Sequence, residues 1–397
     1  MTTWKHLTAA PHRLFFLLGS LQALVAMLSW LALLEMPGLA EIAWPAPAAH
    51  AWTMLYGLFP AFVFGFLFTA LPNWVNGAAI RRLEYLPTAL LLASGGLLFY
   101  PALLLPGLDW LALGLYLAGW AFGLMALLRV LRSAAPGDHR QPWAVWAAAL
   151  SGLLGVAAFL VWRMTGQGIF LRLGEVLGLW WFLTPLFLAV CHRMIPYFTS
   201  RVVTNYVLIQ PYPALWAMLA ACLGHALLTL LDAPQWTWLA DLPLAGIAFW
   251  FTARWGLRSG LTVRLLGMLH IAFVWAGLAF ALFGIDSLMR LTGAGNLGLA
   301  PLHTLTIGFF GAMLIGMAAR VSLGHSGRKL ECDALTWRLF LTMQLAAAVR
   351  MLPDLFPDWI DYRLASLAGL IWLAAFAVWA AKYAPFYWRP RADGKPG

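Results

Sequence analysis

The chain has 397 residues, 63% of them hydrophobic and only 10% charged, with a formal net charge of +10. Such a composition excludes an ordinary soluble domain and places the chain among membrane proteins. Its three cysteines, Cys191, Cys222 and Cys332, form no CxxC or CxxCH motif, which argues against a disulfide framework, a zinc ribbon and a covalently attached c-type haem.

In chain order, twelve apolar segments are long enough to cross a hydrocarbon core of about 30 Å. They cover residues 14–34, 50–71, 86–105, 109–131, 143–162, 174–195, 212–231, 236–255, 263–284, 300–320, 335–352 and 361–382. The first is too long for a cleaved signal peptide and lacks a small-residue cleavage site, so it is read as a span. The connections are short and rich in Pro, Gly, Asp and Arg. The fold class expected is all-α: a polytopic membrane protein of about twelve transmembrane helices in one bundle, with 1–397 as a single transmembrane domain. Many of the 23 tryptophans fall near segment ends, as in an interfacial belt. No internal repeat is visible.

Only five of the 25 Lys and Arg residues, namely Arg163, Arg172, Arg290, Arg350 and Arg363, fall at one set of segment ends. The other twenty lie at the opposite set. The positive-inside rule then places both termini in the cytoplasm. The basic charge is a topology signal and calls for no nucleic acid.

Five histidines, His50, His192, His225, His270 and His303, fall inside these apolar segments. An ionisable ring in hydrocarbon is costly, and usually faces the bundle interior to carry protons or hold a metal. With the orientation above, His50 opens span 2 and His303 opens span 10, both at the outer side. Two imidazoles at one depth on different helices are positioned to ligate one haem iron from opposite faces. His225 lies in the outer half, whereas His192 and His270 lie toward the cytoplasm. On span 2, His50, Met54, Gly57, Ala61 and Gly65 form a stripe of small residues that admits either a neighbouring helix or a flat macrocycle. On span 10, His303, Ile307, Phe310 and Leu314 share a face suited to a cofactor, and Gly308, Ala312 and Gly316 form a packing stripe. The plainer alternatives are a headgroup location for His50 or His303, a carbonyl partner for His225, and an interfacial position for His192. His6, His12 and His139 are expected in solvent.

Several stretches resemble the NnrS family. They are His50-Ala-Trp-Thr-Met-Leu-Tyr-Gly57, Gly65-Phe-Leu-Phe-Thr-Ala-Leu-Pro-Asn-Trp74, Arg193-Met-Ile-Pro-Tyr-Phe-Thr199, Leu269-His270, Pro301-Leu-His-Thr-Leu-Thr-Ile-Gly308 and Gly316-Met-Ala-Ala-Arg-Val-Ser-Leu-Gly-His-Ser-Gly-Arg328. The likeness runs over most of the chain. It implies a bacterial inner-membrane protein that contains haem b and copper and acts in nitric oxide metabolism and resistance to nitrosative stress. Its implied partners are nitric oxide or another small neutral gas, an unspecified membrane electron donor and the lipid bilayer. The resemblance carries His50, His270, His303 and His325 over as candidate metal ligands or site residues; His192 and His225 are further metal candidates from their place in the apolar segments alone. It carries Arg193, Arg201 and Arg320 over as partners for anionic groups such as propionates, against their reading as topology determinants. One departure is visible: the family's second His and Glu before the span-2 Met are Trp52 and Thr53 here, so fewer metals are expected than in relatives.

A fainter likeness, through His50, Met54 and Asn73-Trp74, is to the catalytic subunit of haem–copper oxidases and nitric oxide reductases. The paired histidines expected on their span 7 are missing, since His225 alone occupies it. Binding or reduction of nitric oxide at a His-ligated haem, as in a nitric oxide reductase-like oxidoreductase, is the reading expected. A proton-coupled secondary transporter and a haem- or copper-handling assembly factor are the alternatives.

Overall fold

All twelve apolar segments are helical. The computed structural model describes residues 3–36, 38 and 41–395. The helices are α1 (Pro11–Glu35), α2 (Ala46–Trp74), α3 (Arg82–Ala102), α4 (Leu108–Arg132), α5 (Arg140–Thr165), α6 (Gly168–Ser200) and α7 (Tyr212–Leu230). They continue as α8 (Trp238–Arg254), α9 (Arg264–Thr292), α10 (Ala300–His325), α11 (Ala334–Leu355) and α12 (Leu364–Trp388). Among the described residues, ten of these are long and apolar enough to cross a membrane. The two that fall short of the expected twelve have simple reasons: α8 has 17 residues, and α11 carries Arg338, Gln344, Arg350 and Asp354. The chain is an all-α polytopic membrane protein with about ten candidate transmembrane helices.

Local chemistry sets the helix ends. Pro11, Pro47, Pro213 and Pro301 lie in the first turns of α1, α2, α7 and α10, where no intrahelical N–H donor is needed. Gly166 and Gly293 end α5 and α9 with φ of 71° and 74°, in the left-handed region that glycine enters without a Cβ clash.

The helices group into two compact units. The first contains the chain to Leu186, Gly324–Arg328 and the segment from Ala380 onward; the second contains Phe187–Leu323 and Lys329–Trp379. In the first unit, the small-residue stripe on α2 is covered by α1. A Cβ on Gly57 would lie 2.6 Å from Gln22 Nε2, and one on Gly65 would lie 2.8 Å from Phe15 Cβ. A neighbouring helix, the first of the two expected occupants, therefore fills that stripe. Trp44, Trp52, Phe99 and Phe159 form an aromatic core, at whose edge the Asp109 carboxylate accepts from Trp44 Nε1 (3.2 Å) and from Arg163.

In the second unit, a Cβ on Gly308 would lie 2.6 Å from Trp275, and one on Gly316 would lie 3.1 Å from Leu269. The α9 and α10 backbones thus approach through glycines. Phe310, on the α10 face expected to take a cofactor, is fully buried with its ring 4.7 Å from that of Phe187.

Three helices contain a π-helical stretch: Thr53–Leu58 in α2, Leu177–Leu183 in α6 and Thr304–Gly311 in α10. The wider turn displaces side chains from the 3.6-residue register, and such bulges occur frequently at functional sites. Two of the three lie just C-terminal to a histidine: His303 immediately precedes the stretch in α10, and His50 lies three residues before the stretch in α2. The lead-in Ala46–Trp52 carries His50, and the lead-in Ala300–His303 ends in His303.

Candidate functional site

Residues carried by the family likeness converge at one end of α6 in the second unit. His270, on α9, is 1% exposed. Its ring lies against Gly260, where a Cβ would come within 2.3 Å of His270 Cδ2, so the position is open only to glycine or to a displaced ring. On the other side, His270 Nε2 lies 3.1 Å from Thr199 Oγ1. The Thr199 hydroxyl proton is donated to the Ile195 carbonyl at 2.8 Å, so its oxygen accepts from Nε2–H. That pairing is met by the tautomer with its lone pair on Nδ1.

Next to Thr199, Phe198 carries the Arg320 guanidinium 3.8 Å from its ring centroid. Arg320 is half-buried, and among the described residues no carboxylate reaches it. Arg201 lies 5.2 Å from the Tyr197 ring centroid, with Nη2 3.4 Å from the phenol oxygen. Two guanidiniums without an acid partner among the described residues thus rest on consecutive aromatic residues. Desolvating a cation that lacks a counter-ion is unfavourable, and a bound anion removes that penalty.

His192 and Arg193, one and a half turns earlier on α6, have a structural explanation. Pro196 has no N–H, so the His192 carbonyl loses its helical donor. Gln210 replaces it, with Nε2 donating to the carbonyls of His192 (3.1 Å) and Arg193 (2.9 Å). The His192 ring is 1% exposed among Tyr212, Phe251 and Trp255, with Nε2 3.3 Å from the Pro211 carbonyl.

From sequence, His225 is either a site residue or a partner of a nearby carbonyl. Its Nδ1 lies 2.7 Å from Asp241 Oδ1, across the α7–α8 hairpin. Asp241 is fully buried and its Oδ2 has no hydrogen-bond partner among the described residues.

His50 and His303, expected as a ligand pair, belong to different units. In the first unit, His50 is half-buried and stacked on Trp30 at 4.0 Å with 24° between the ring planes. In the second, His303 Nδ1 donates to the Leu299 carbonyl at 3.0 Å, which places the lone pair on Nε2.

His325, at the end of α10, is exposed, and its ring centroid lies 4.8 Å from that of His12. His12 is only 4% exposed, which overturns its expected solvent position. The cause is the C-terminal segment, which folds back onto the first turn of α1. Arg13 donates to the carbonyls of His6 (3.1 Å), Arg389 (2.9 Å) and Tyr387 (3.5 Å), and the Ala392 N–H donates to the Ser326 carbonyl at 2.9 Å. Among the described residues, no group of three or more His, Cys, Asp or Glu side chains is arranged to hold a metal ion.

The model of the family described as NnrS protein matches residues 6–391. No curated protein matches the chain.

Proposed function

Because the chain belongs to the NnrS family across nearly its whole length, we propose that it is a haem-containing protein of the bacterial cytoplasmic membrane that binds or reduces nitric oxide. Haem b supplies a gas-binding, redox-active iron when bound. The rest of the reading concerns what this chain's own residues provide.

The observation that carries it is the half-buried, acid-free Arg320 guanidinium on Phe198, one residue from the Thr199 that orients His270. A porphyrin needs one neutral imidazole nitrogen and somewhere to place anionic propionates, and His270 with Arg320 and Arg201 offers both. His303, whose tautomer leaves the lone pair on Nε2, and His50, stacked beside Trp30, are the further ligand candidates; each precedes a π-helical stretch. Copper is the second metal that the family likeness implies. Small neutral gases partition into apolar surroundings, and the largely apolar helices around these residues limit competing water.

A reduced-minus-oxidised spectrum of the purified protein tests this. Reducible α and β bands and a Soret band are expected. His270→Ala is expected to lower haem content or change the spectrum, and Arg320→Gln to lower haem retention with the spectral type kept. A colourless preparation after expression with ample haem overturns the proposal. One observation favours the alternative of a proton-coupled carrier: the buried His225–Asp241 pair, a carboxylate and an imidazole together within hydrocarbon. In that case Asp241→Asn abolishes pH-driven uptake in vesicles while leaving any haem signal untouched.

A further inference from the structure

One end of the first unit, cytoplasmic by the charge bias of the chain, gathers four arginines from three distant segments. Arg13 lies in the first turn of α1, Arg328 follows α10, and Arg389 and Arg391 come from the C-terminal segment. That segment is closely seated: the Ala392 N–H donates to the Ser326 carbonyl at 2.9 Å, and a Cβ on Gly327 would lie 2.5 Å from Asp393 Cγ. The guanidiniums are near enough to repel one another. The charges of Arg391 and Arg328 act on Arg13, and that of Arg389 acts on Arg328. Among the described residues the acid that answers them is Asp393, and Arg391 already holds its carboxylate through two hydrogen bonds, at 2.9 and 2.6 Å. Arg328 rests 3.9 Å from the Phe386 ring centroid and, like Arg389, meets no carboxylate among the described residues. Folding thus concentrates positive charge without a matching counter-charge, and a bound anion relieves that repulsion.

The packing leaves donors for such an anion. Arg13 is 2% exposed and commits one nitrogen, Nη1, to the carbonyls of His6, Tyr387 and Arg389; its Nε and Nη2 make no hydrogen bond among the described residues. Beside it, His12 is 4% exposed, and its Nδ1 is buried with no hydrogen-bond partner. The charges of His325, Arg13 and Arg391 act on this imidazole, which places it inside the cluster. An N–H on Nδ1 lacks an acceptor there, and leaving a buried donor unmatched is costly. The exposed His325 ring, its centroid 4.8 Å from that of His12, marks the open side of the cluster. Donors arriving from three segments call for a ligand with several acceptor oxygens, and the planar guanidinium fork matches phosphate geometry. A cation meets only repulsion from the same charges.

We propose that His12, Arg13, Arg328 and Arg389 bind a phosphate group, either the diester of an anionic lipid headgroup in the cytoplasmic leaflet or a soluble phosphate. Basic clusters just beyond membrane helices recognise anionic lipids through the same attraction. The bound phosphate neutralises the cluster and ties together the start of α1, the end of α10 and the C-terminal segment. The site uses none of His50, His270, His303 or Arg320, and it stands whether or not a haem is bound.

The test uses the full chain, purified in a neutral detergent and delipidated. Phosphatidylglycerol, diacylglycerol with the same acyl chains, and inorganic phosphate are titrated separately. Binding is read from the thermal unfolding midpoint and, for the lipids, by native mass spectrometry. A phosphate-bearing ligand is expected to raise the midpoint as it saturates the site, and diacylglycerol to leave it unchanged. Arg328→Gln and Arg389→Gln should each weaken the apparent affinity about fivefold. Arg258→Gln makes the same charge change at an exposed position in the second unit and should match wild type. His12→Phe should weaken binding, and His12→Gln, which keeps an N–H donor, should recover part of the loss. A gain from phosphatidylglycerol that inorganic phosphate does not reproduce identifies a headgroup as the source; the same gain from inorganic phosphate without lipid identifies a soluble one; each supports the proposal. Equal affinity for phosphatidylglycerol and diacylglycerol, with no gain from inorganic phosphate, overturns it. So does a loss in Arg258→Gln as large as in Arg328→Gln and Arg389→Gln, or an affinity unchanged in every site variant. Should the His12 variants fail to fold, the two arginine variants still decide.

Discussion

Gly260→Ala probes the pocket that holds His270. The added Cβ would lie 2.3 Å from Cδ2, 2.6 Å from Nε2 and 3.1 Å from Cγ of the imidazole. The ring is 1% exposed and pinned on its far side by Thr199, so it cannot rotate away without breaking the Nε2–Oγ1 bond of 3.1 Å. Overpacking of this kind costs about 1–3 kcal/mol, and the lost hydrogen bond adds about 1 kcal/mol. The expected destabilisation is therefore about 2–4 kcal/mol. Reversible unfolding in mixed micelles measures it in two backgrounds. In His270→Ala the obstructing ring is gone, and the same substitution should become neutral or stabilise by up to about 1 kcal/mol through helix propensity. Gly246→Ala, where a Cβ meets nothing within 4 Å, is the positional control. An equal cost for Gly260→Ala in the presence and absence of the imidazole would refute the reasoning.

Three further outcomes are expected. Gly155→Ala would place a Cβ 1.8 Å from the Tyr56 hydroxyl, which donates to the Gly174 carbonyl at 2.6 Å; it should destabilise by about 2–4 kcal/mol, and thermal unfolding with Tyr56→Phe should show partial rescue. Gln210→Ala removes one hydrogen bond from each of the His192 and Arg193 carbonyls at a net cost of about 0.5–1.5 kcal/mol per bond, and faster hydrogen exchange around Pro196 would report it. Asp393 is held below its ordinary pKa of 3.8, first by hydrogen bonds from Arg391. A depressed carboxylate contributes stability above that value and loses it as pH falls through the lower folded-state pKa. Protease protection of the C-terminal segment should accordingly weaken in strong acid, and Asp393→Asn should reproduce the weakening at neutral pH; unchanged cleavage in both cases would count against this contact.

The helices were legible because a long apolar run has few other ways to satisfy its backbone in hydrocarbon. Their lengths were less so: residues 174–195 belong to a helix that runs Gly168–Ser200. The π-helical stretches left no trace, since an extra residue in one turn barely alters a hydropathy pattern. Gly57 and Gly65 stood out as small residues, but only the structure distinguished a helix from a macrocycle as their neighbour, through Gln22 and Phe15. The Asp241 partner of His225 was within reach of sequence reasoning: an acid near the start of one apolar helix and an imidazole near the end of the preceding one face each other across a short hairpin. His12 was not, because its burial depends on residues hundreds of positions away. The arginine–aromatic cluster was visible as residues, whereas its lack of an acid partner is a fact of three-dimensional placement.

Arg13 and its acceptors at Tyr387 and Arg389 are separated by 374 and 376 positions. During synthesis the guanidinium emerges long before those carbonyls exist, so it must stay hydrated or lean on lipid phosphate meanwhile. Closing so large a loop is entropically demanding and slow. The amino-terminal helix is consequently expected to seat itself last, making this latch a checkpoint on completed membrane insertion: polypeptides lacking the final dozen residues should leave the first helix loosely held and exposed to quality-control proteases.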